Sequence, residues 1–344
     1  MNRKTVVAVL AAALLAGSLF AQGAEHQTSW GFEGAYYPPH NQGWDSGGWV
    51  SPGYSPIPEP DTFVPLGLDE GRELGNTWGS VKAQGWLAHK ITLPVLQGPG
   101  PLTAGNNLSL NFRGELSPVT AGVSARAILT PVAFLNFEAG AYFGTGWAAL
   151  GFNGLGLNRD GSGIPDQGAF NGLVSKVWGS GTFQFDLAAV VPGDWNHVVT
   201  LATVKAEYRT YSRAETEESW MFQGDSGENF NGMRYYTTLV LAYQMPLKVN
   251  LAGIMVETNW NGGDIKNLSP MGQGGWGSDF LSVTISPLCN IRLSDKASVV
   301  ILAGFARGKK YTDETIFYNW FQNREYESAF WYFDQLAFSF SYTL

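Results

Sequence analysis

From residue 107 onward, one stretch after another places a large apolar side chain at every second position. "NLSLNFRGEL" sets Leu108, Leu110, Phe112 and Leu116 against Asn107, Ser109, Asn111, Arg113 and Glu115. "VTAGVSARAIL" sets Val119, Val123, Ala125, Ala127 and Leu129 against Thr120, Ser124 and Arg126. "LNFEAGAYF" opposes Leu135, Phe137 and Phe143 to Asn136, Glu138 and Tyr142, and "GTFQFDLAAV" opposes Phe183, Phe185 and Leu187 to Thr182, Gln184 and Asp186. In "VVTLATVKAEYR", Val204, Ala206 and Tyr208 alternate with Lys205, Glu207 and Arg209; in "MRYYTTLVLAYQM", Tyr235, Leu239, Leu241 and Tyr243 alternate with Arg234, Thr238 and Gln244. A period of two is the mark of a β-strand whose two faces meet different surroundings. With weaker segments at 28–37, 78–93, 247–259, 278–286, 297–307 and 329–344, the rule gives about twelve strands, within a range of about 10–14.

The first 24 residues fall outside this pattern. Arg3 and Lys4 precede an apolar run from Val6 to Ala16, followed by small residues at Ala21–Ala24. That order is the signature of a secretory signal peptide, and the run is too short to span a membrane. Without Arg3 and Lys4 the exported chain, residues 25–344, keeps 19 basic residues against 29 acidic. Such a balance argues against nucleic acid as a partner. A single cysteine, Cys289, makes no disulfide within the chain, so export without a disulfide framework demands another source of stability. After the leader no apolar run reaches the ~18 residues of a spanning helix.

The connections between strands alternate in kind. Short or proline-marked links fall at 92–101, 129–132, 190–195, 243–248 and 285–290; long Gly-rich links fall at 38–77, 148–171, 212–232, 260–277 and 308–328, with a short exception at 116–120. Membrane β-barrels show this asymmetry, with short periplasmic turns and long outer loops. In hydrocarbon every backbone N–H and C=O must be bonded within the protein, which for strands requires a closed cylinder. The final stretch "LAFSFSYTL" (336–344) has the length of one tilted crossing, about 9–11 residues, and is expected to close against the first strand. Asp334 shares the parity of Leu336 and is expected at or beyond the outer interface. A soluble β-sandwich also has alternating strands, but it does not call for alternating loop lengths.

The leader, the antiparallel strands, the loop asymmetry and the alternating last strand resemble the outer-membrane β-barrel proteins of diderm bacteria, porins included. The resemblance implies a cell outer-membrane location, lipid as a neighbour, insertion through the C-terminal strand 336–344, and transport as the activity. The chain ends in Leu344 where an aromatic is usual, and no motif selects one porin subfamily.

Parity assigns the charges expected to line such a barrel. Basic candidates are Lys82, Lys90, Arg113, Arg126, Lys176, Lys205, Arg209, Arg234 and Lys248; acidic ones are Glu115, Glu138, Asp186 and Glu207. A lumen rich in Lys and Arg favours anions. Twelve strands lie between filled eight-stranded barrels and wide pores of 16–18 strands, so a narrow channel for small polar solutes is expected. The competing reading is that the charges pair, Glu207 with Arg113 or Arg126, and cement a barrel that conducts nothing. A structural or adhesive barrel and an uptake channel for hydrophobic compounds, with the Pro-rich segment 38–77 as lid or plug, are the remaining alternatives. "NRDGSGIPD" (158–166) resembles a calcium-binding loop pattern, with oxygen ligands at Asn158, Asp160, Ser162 and Asp166; a plain Gly-rich turn fits the same residues. Four histidines, His26, His40, His89 and His197, lie in no nucleophile motif, so no enzymatic activity is expected.

Overall fold

A computed structural model describes residues 23–38, 80–149, 152–157, 170, 172–216, 218–223, 228–268, 276–311 and 326–344. Twelve of its strands form one closed antiparallel barrel: β1 (Glu25–Tyr37), β2 (Ser80–Pro94), β3 (Asn107–Leu116), β4 (Thr120–Val132), β5 (Leu135–Gly146), β9 (Val174–Asp186), β10 (His197–Tyr211), β12 (Gly232–Gln244), β13 (Val249–Asn261), β14 (Ser282–Arg292), β15 (Ala297–Tyr311) and β16 (Tyr326–Thr343). Four short strands belong to the loops: β6 (Ala148–Ala149) pairs with β7 (Phe152–Asn153), and β8 (Leu155–Leu157) pairs with β11 (Trp220–Phe222). One helical turn, α1 (Gly263–Lys266), lies in the loop after β13.

Closure is made by β1 and β16, in register from Ser29 opposite Thr343 to Tyr36 opposite Leu336. Aromatic contacts seal this seam on the outside: Trp30 against Phe340 and Tyr342, and Phe32 against Phe338, with centroids 5.5–5.9 Å apart. The apolar members of the alternations point away from the barrel, except Val119, which is buried just before β4. Phe32, Leu87, Phe112, Val123, Phe137, Val177, Val204, Leu241, Ile254, Phe305 and Leu336 are all exposed. Water would penalise so continuous a greasy exterior, whereas lipid dissolves it. Strands of 13–15 residues with a rise of ~3.3 Å and a tilt of ~40° stand about 33–38 Å tall. They therefore overreach a ~25 Å apolar band at both ends. Trp30, Tyr342, Trp195 and Tyr243 sit outside at one end; Tyr36, Tyr208, Trp331 and the stacked pair Tyr235–Trp260 sit at the other. Two aromatic girdles result.

Three sequence expectations change. The link placed at 285–290 lies inside β14, and the turn is at 293–296. Pro287 thus stands in mid-strand with its ring outward. Pairing with β15 lapses at Ser286 and Pro287, between Ile285↔Phe305 and Leu288↔Leu302, as a residue without an N–H requires. Second, a β-bulge between Gly304 and Phe305 pairs Gly304 with Gln335 but Phe305 with Phe333. The extra residue shifts parity along β16. Trp331 and Phe333 face out above the bulge, and Leu336 and Phe338 face out below it. The Asp334 carboxylate consequently turns inward, toward Gly304, rather than outward beyond the interface. Third, Lys248 sits in the turn between β12 and β13, where its carbonyl accepts from the Arg292 N–H, instead of on the inner wall.

Candidate functional site

Each outward apolar side chain fixes its strand neighbours inward, and the inward set carries the charge. On β2 the exposed Leu87 leaves Lys82, Gln84 and Trp86 facing in; on β3 the exposed Phe112 does the same for Arg113 and Glu115. Arg113 donates to the Glu33 carboxylate at 2.8 Å, approaches Glu115 at 3.6 Å and lies 4.8 Å over the Trp86 ring. Gln84 holds the second Glu33 oxygen at 2.7 Å. Farther round, Arg126 meets Glu138 at 3.6 Å, and the Trp178 indole N–H donates to the same carboxylate at 2.7 Å. Glu207 is held between Lys205 (2.9 Å) and Arg209 (2.6 Å) on its own strand, not by Arg113 or Arg126. Lys205 also lies 4.2 Å over Tyr236, and Lys176 lies 5.2 Å from the rings of both Tyr142 and Phe222. Gly31 and Gly140 make room for the two indoles, since a Cβ at either would overlap Trp86 or Trp178.

The outer loops fold back over this wall. β8 and β11 pair Leu157 with Trp220 and Leu155 with Phe222. With Tyr142, Val174 and Tyr211 they form a buried cluster in which Trp220 is fully enclosed. Asn229 brackets Trp220 through backbone and side chain (2.9 and 3.0 Å) and receives Arg209 Nη1 at 2.7 Å. Residues 218–223 and 228–231 are thereby tied to the rim of β10. Gln223 has a left-handed backbone (φ 59°), accepts from Lys82 Nζ at 2.9 Å and donates to Glu115 at 3.4 Å. Lys82 and Glu115 belong to β2 and β3, whereas this segment starts at β10, nearly opposite in the barrel order. The chain therefore reaches inward from β10 along the charged wall as far as β2. A second cap packs Phe230, Ile265, Leu268 and Trp276 together, with Lys309 of β15 paired to Glu228.

Among the residues expected to line the lumen, Lys82, Arg113, Glu115, Arg126, Glu138, Lys176, Lys205, Glu207, Arg209 and Arg234 occupy inward parity in mid-strand or at its outer end. Arg234 donates to the Glu228 carbonyl. Asp186 is at the opposite rim, capping the turn at Leu187–Ala189 and bonded to His197 at 2.7 Å. The carboxylates Glu33 and Glu257 were missed. "WGFEGAYY" carries a readable alternation, with Trp30, Phe32 and Tyr36 outward and Glu33 inward. Glu257 is masked by apolar Met255 on the same face. With Asp334 they narrow the basic excess. His26 and His89 face outward, 3.2 Å apart, and Thr28 bonds His89 at 2.9 Å. The stretch 158–166 with Asn158, Asp160, Ser162 and Asp166, the segment 39–79 and the leader up to residue 22 lie outside the described residues.

Closure, a lipid-compatible exterior and paired aromatic girdles decide the class. The chain is a closed transmembrane β-barrel. No protein-family model matches this chain, and no curated sequence does either. Among solved structures it is similar to an outer membrane channel from Pseudomonas putida F1, with 9% identity, 92% of this chain and 95% of that one covered, and a TM-score of 0.42. It is also similar to the beta domain of the Bordetella autotransporter BrkA (9% identity, 92% and 98% covered, TM-score 0.36) and to Pseudomonas putida OprB (8%, 95% and 96%, 0.32). These likenesses are of outline; the fold rests on the strand pairing of this chain itself.

Proposed function

We propose that the barrel is a narrow diffusion channel of the outer membrane for small polar solutes, favouring anions over cations. The observation that supports this is the depth of the two signs. The Arg126 side chain is 49% exposed over a Glu138 that is 20% exposed, and Lys205 is 30% exposed over a Glu207 at 5%. Among the described pairs, Arg113 and Glu33 stand evenly, at 31% and 32%, as do Lys310 and Glu327 near the rim, and in the cap the order is reversed, with Lys309 at 8% and Glu228 at 21%. Carboxylates set into the wall beneath their cations are screened from the passing solute, so the surface it meets is basic although the pairs are neutral. A ring of Lys and Arg rejects cations, and the segment that brings Gln223 onto the charged wall narrows the passage.

Catalysis has no place in this reading. The Thr28–His89–His26 contact faces the membrane side, and Asp186–His197 braces a turn. Insertion through strand 336–344 and a calcium ion at Asn158, Asp160, Ser162 and Asp166 belong to the same proposal. Calcium binding is tested by titration calorimetry on wild type and Asp160→Ala, where equal heats rule the site out.

The selectivity test is the reversal potential of the purified barrel in a planar bilayer under a KCl gradient. Chloride preference is expected, moving toward cations in Arg126→Glu. Cation preference in the wild type, or the absence of conductance, overturns the proposal and favours the closed structural barrel.

A further inference from the structure

At the end of the barrel that carries the short turns, β1 and β2 bring two of the four histidines together on the outer perimeter. His26 and His89 sit diagonally across the ladder: His89 is opposite Thr28, and His26 is opposite Ile91. Trp30 marks the aromatic girdle on β1, packed against Tyr342. At about 2.5 Å of height per tilted residue, Thr28 and His26 lie about 5 and 10 Å beyond it, outside the hydrocarbon. The two imidazoles meet edge to edge, with centroids 5.4 Å apart and His26 Nδ1 3.2 Å from His89 Nε2. Two imidazole nitrogens on one tetrahedral ion, each at ~2.0–2.1 Å, stand about 3.3 Å apart. The pair already has that separation.

The far nitrogen of His89 is held in the way that orients a metal-ligating histidine. Its Nδ1 lies 2.9 Å from Thr28 Oγ1. With the proton on Nδ1 and donated to that hydroxyl, His89 keeps a free lone pair at Nε2, and the bond fixes the ring. The Thr28 backbone is fixed in turn, its carbonyl accepting from the Leu344 N–H at 3.0 Å. We infer that His26 and His89 form an open binding site for one divalent transition ion, Zn²⁺ or Cu²⁺, through Nδ1 of the first and Nε2 of the second. Imidazole suits these ions, whereas hard Ca²⁺ and Mg²⁺ want oxygen. No third His, Cys, Asp or Glu groups with the pair among the described residues, and the remaining positions of the ion face water. Without an ion, one N–H···N bond links the same two atoms; the ion replaces that proton and draws both lone pairs onto itself. Binding ties β1 to β2 beside the closing seam. The site is independent of what passes through the lumen.

The test is equilibrium dialysis of radioactive Zn²⁺ against the untagged full-length barrel in detergent, with electron paramagnetic resonance of bound Cu²⁺ to count nitrogen ligands. One ion per chain is expected, with two imidazole nitrogens on Cu²⁺ and no competition from excess Mg²⁺. Zn²⁺ binding should weaken at least tenfold in His26→Gln and in His89→Gln. Thr28→Val should weaken it roughly tenfold while Cu²⁺ at saturation keeps two nitrogens, the mark of a residue that orients a ligand without being one. His40→Gln and His197→Gln should bind as the wild type does. Heat-shifted mobility on a gel confirms that each variant is an intact barrel, and the Cu²⁺ spectrum of the wild type requires no variant. Equal binding in wild type and His89→Gln, loss of binding in His197→Gln, or fewer than two nitrogens on Cu²⁺ in the wild type overturns the site.

Discussion

The wall from β2 to β12 and the wall from β14 to β1 look alike from the lipid and unlike from within. Outside, both show the same succession of Leu, Val and Phe, since hydrocarbon sets one requirement all round the barrel. Inside, the first wall carries Arg113, Glu115, Arg126, Glu138, Lys176, Lys205, Glu207 and Arg209 with Trp86, Tyr142 and Trp178 interleaved. The second carries Glu33 and Asp334, with Ala35, Ala337, Ser339, Ser341, Val300 and Leu302 between them. The loops respect the difference: the segment from β10 lays Phe222 and Gln223 on the charged wall, with Gln223 reaching Lys82 at its β2 edge. Contact with lipid is thus set by the outer parity, and the proposed selectivity by the inner one.

The largest break in this comparison is expected from Trp220→Ala. Removing a fully enclosed indole costs about 3–5 kcal/mol, more than a surface loop retains. Residues 218–223 should leave the charged wall, and single-channel conductance should rise severalfold while the barrel keeps its heat-shifted mobility; unchanged conductance would place the constriction elsewhere. A smaller effect separates the two faces of one strand. Leu239→Arg puts a charge in lipid and should cost ~2–4 kcal/mol in urea unfolding from vesicles. Thr238→Arg, one residue away and opposite Glu257, should cost little. Equal losses would contradict the parity. The smallest effect is expected where neither wall is touched: the Lys310–Glu327 pair, with both side chains 44% exposed, should contribute less than ~1 kcal/mol, so Lys310→Ala should unfold at nearly the wild-type urea concentration.

Much of the barrel was legible in the chain because the lipid–lumen contrast writes itself on every second residue. Phe112, Val123, Phe137 and Leu241 were all placed outward by alternation, and the structure exposes each. Legibility failed where parity breaks or where apolar residues occupy both faces. Pro287 read as a turn because proline is rare inside sheets, yet only its link to β15 is lost. Asp334 was assigned to the wrong side because one bulge residue reverses every side chain beyond it. Gln223 carried no signal, lying in a polar loop whose destination no local pattern records.

The sequence by itself determined the strands, their outward faces and the alternation of turns and loops, since these answer to the solvent each residue meets. Only the tertiary structure decided that wall carboxylates lie beneath their cations, that a loop from β10 reaches β2, and that β15, β16, β1 and β2 together line one open recess. Those features depend on register and on contacts between distant segments, which a one-dimensional pattern does not encode.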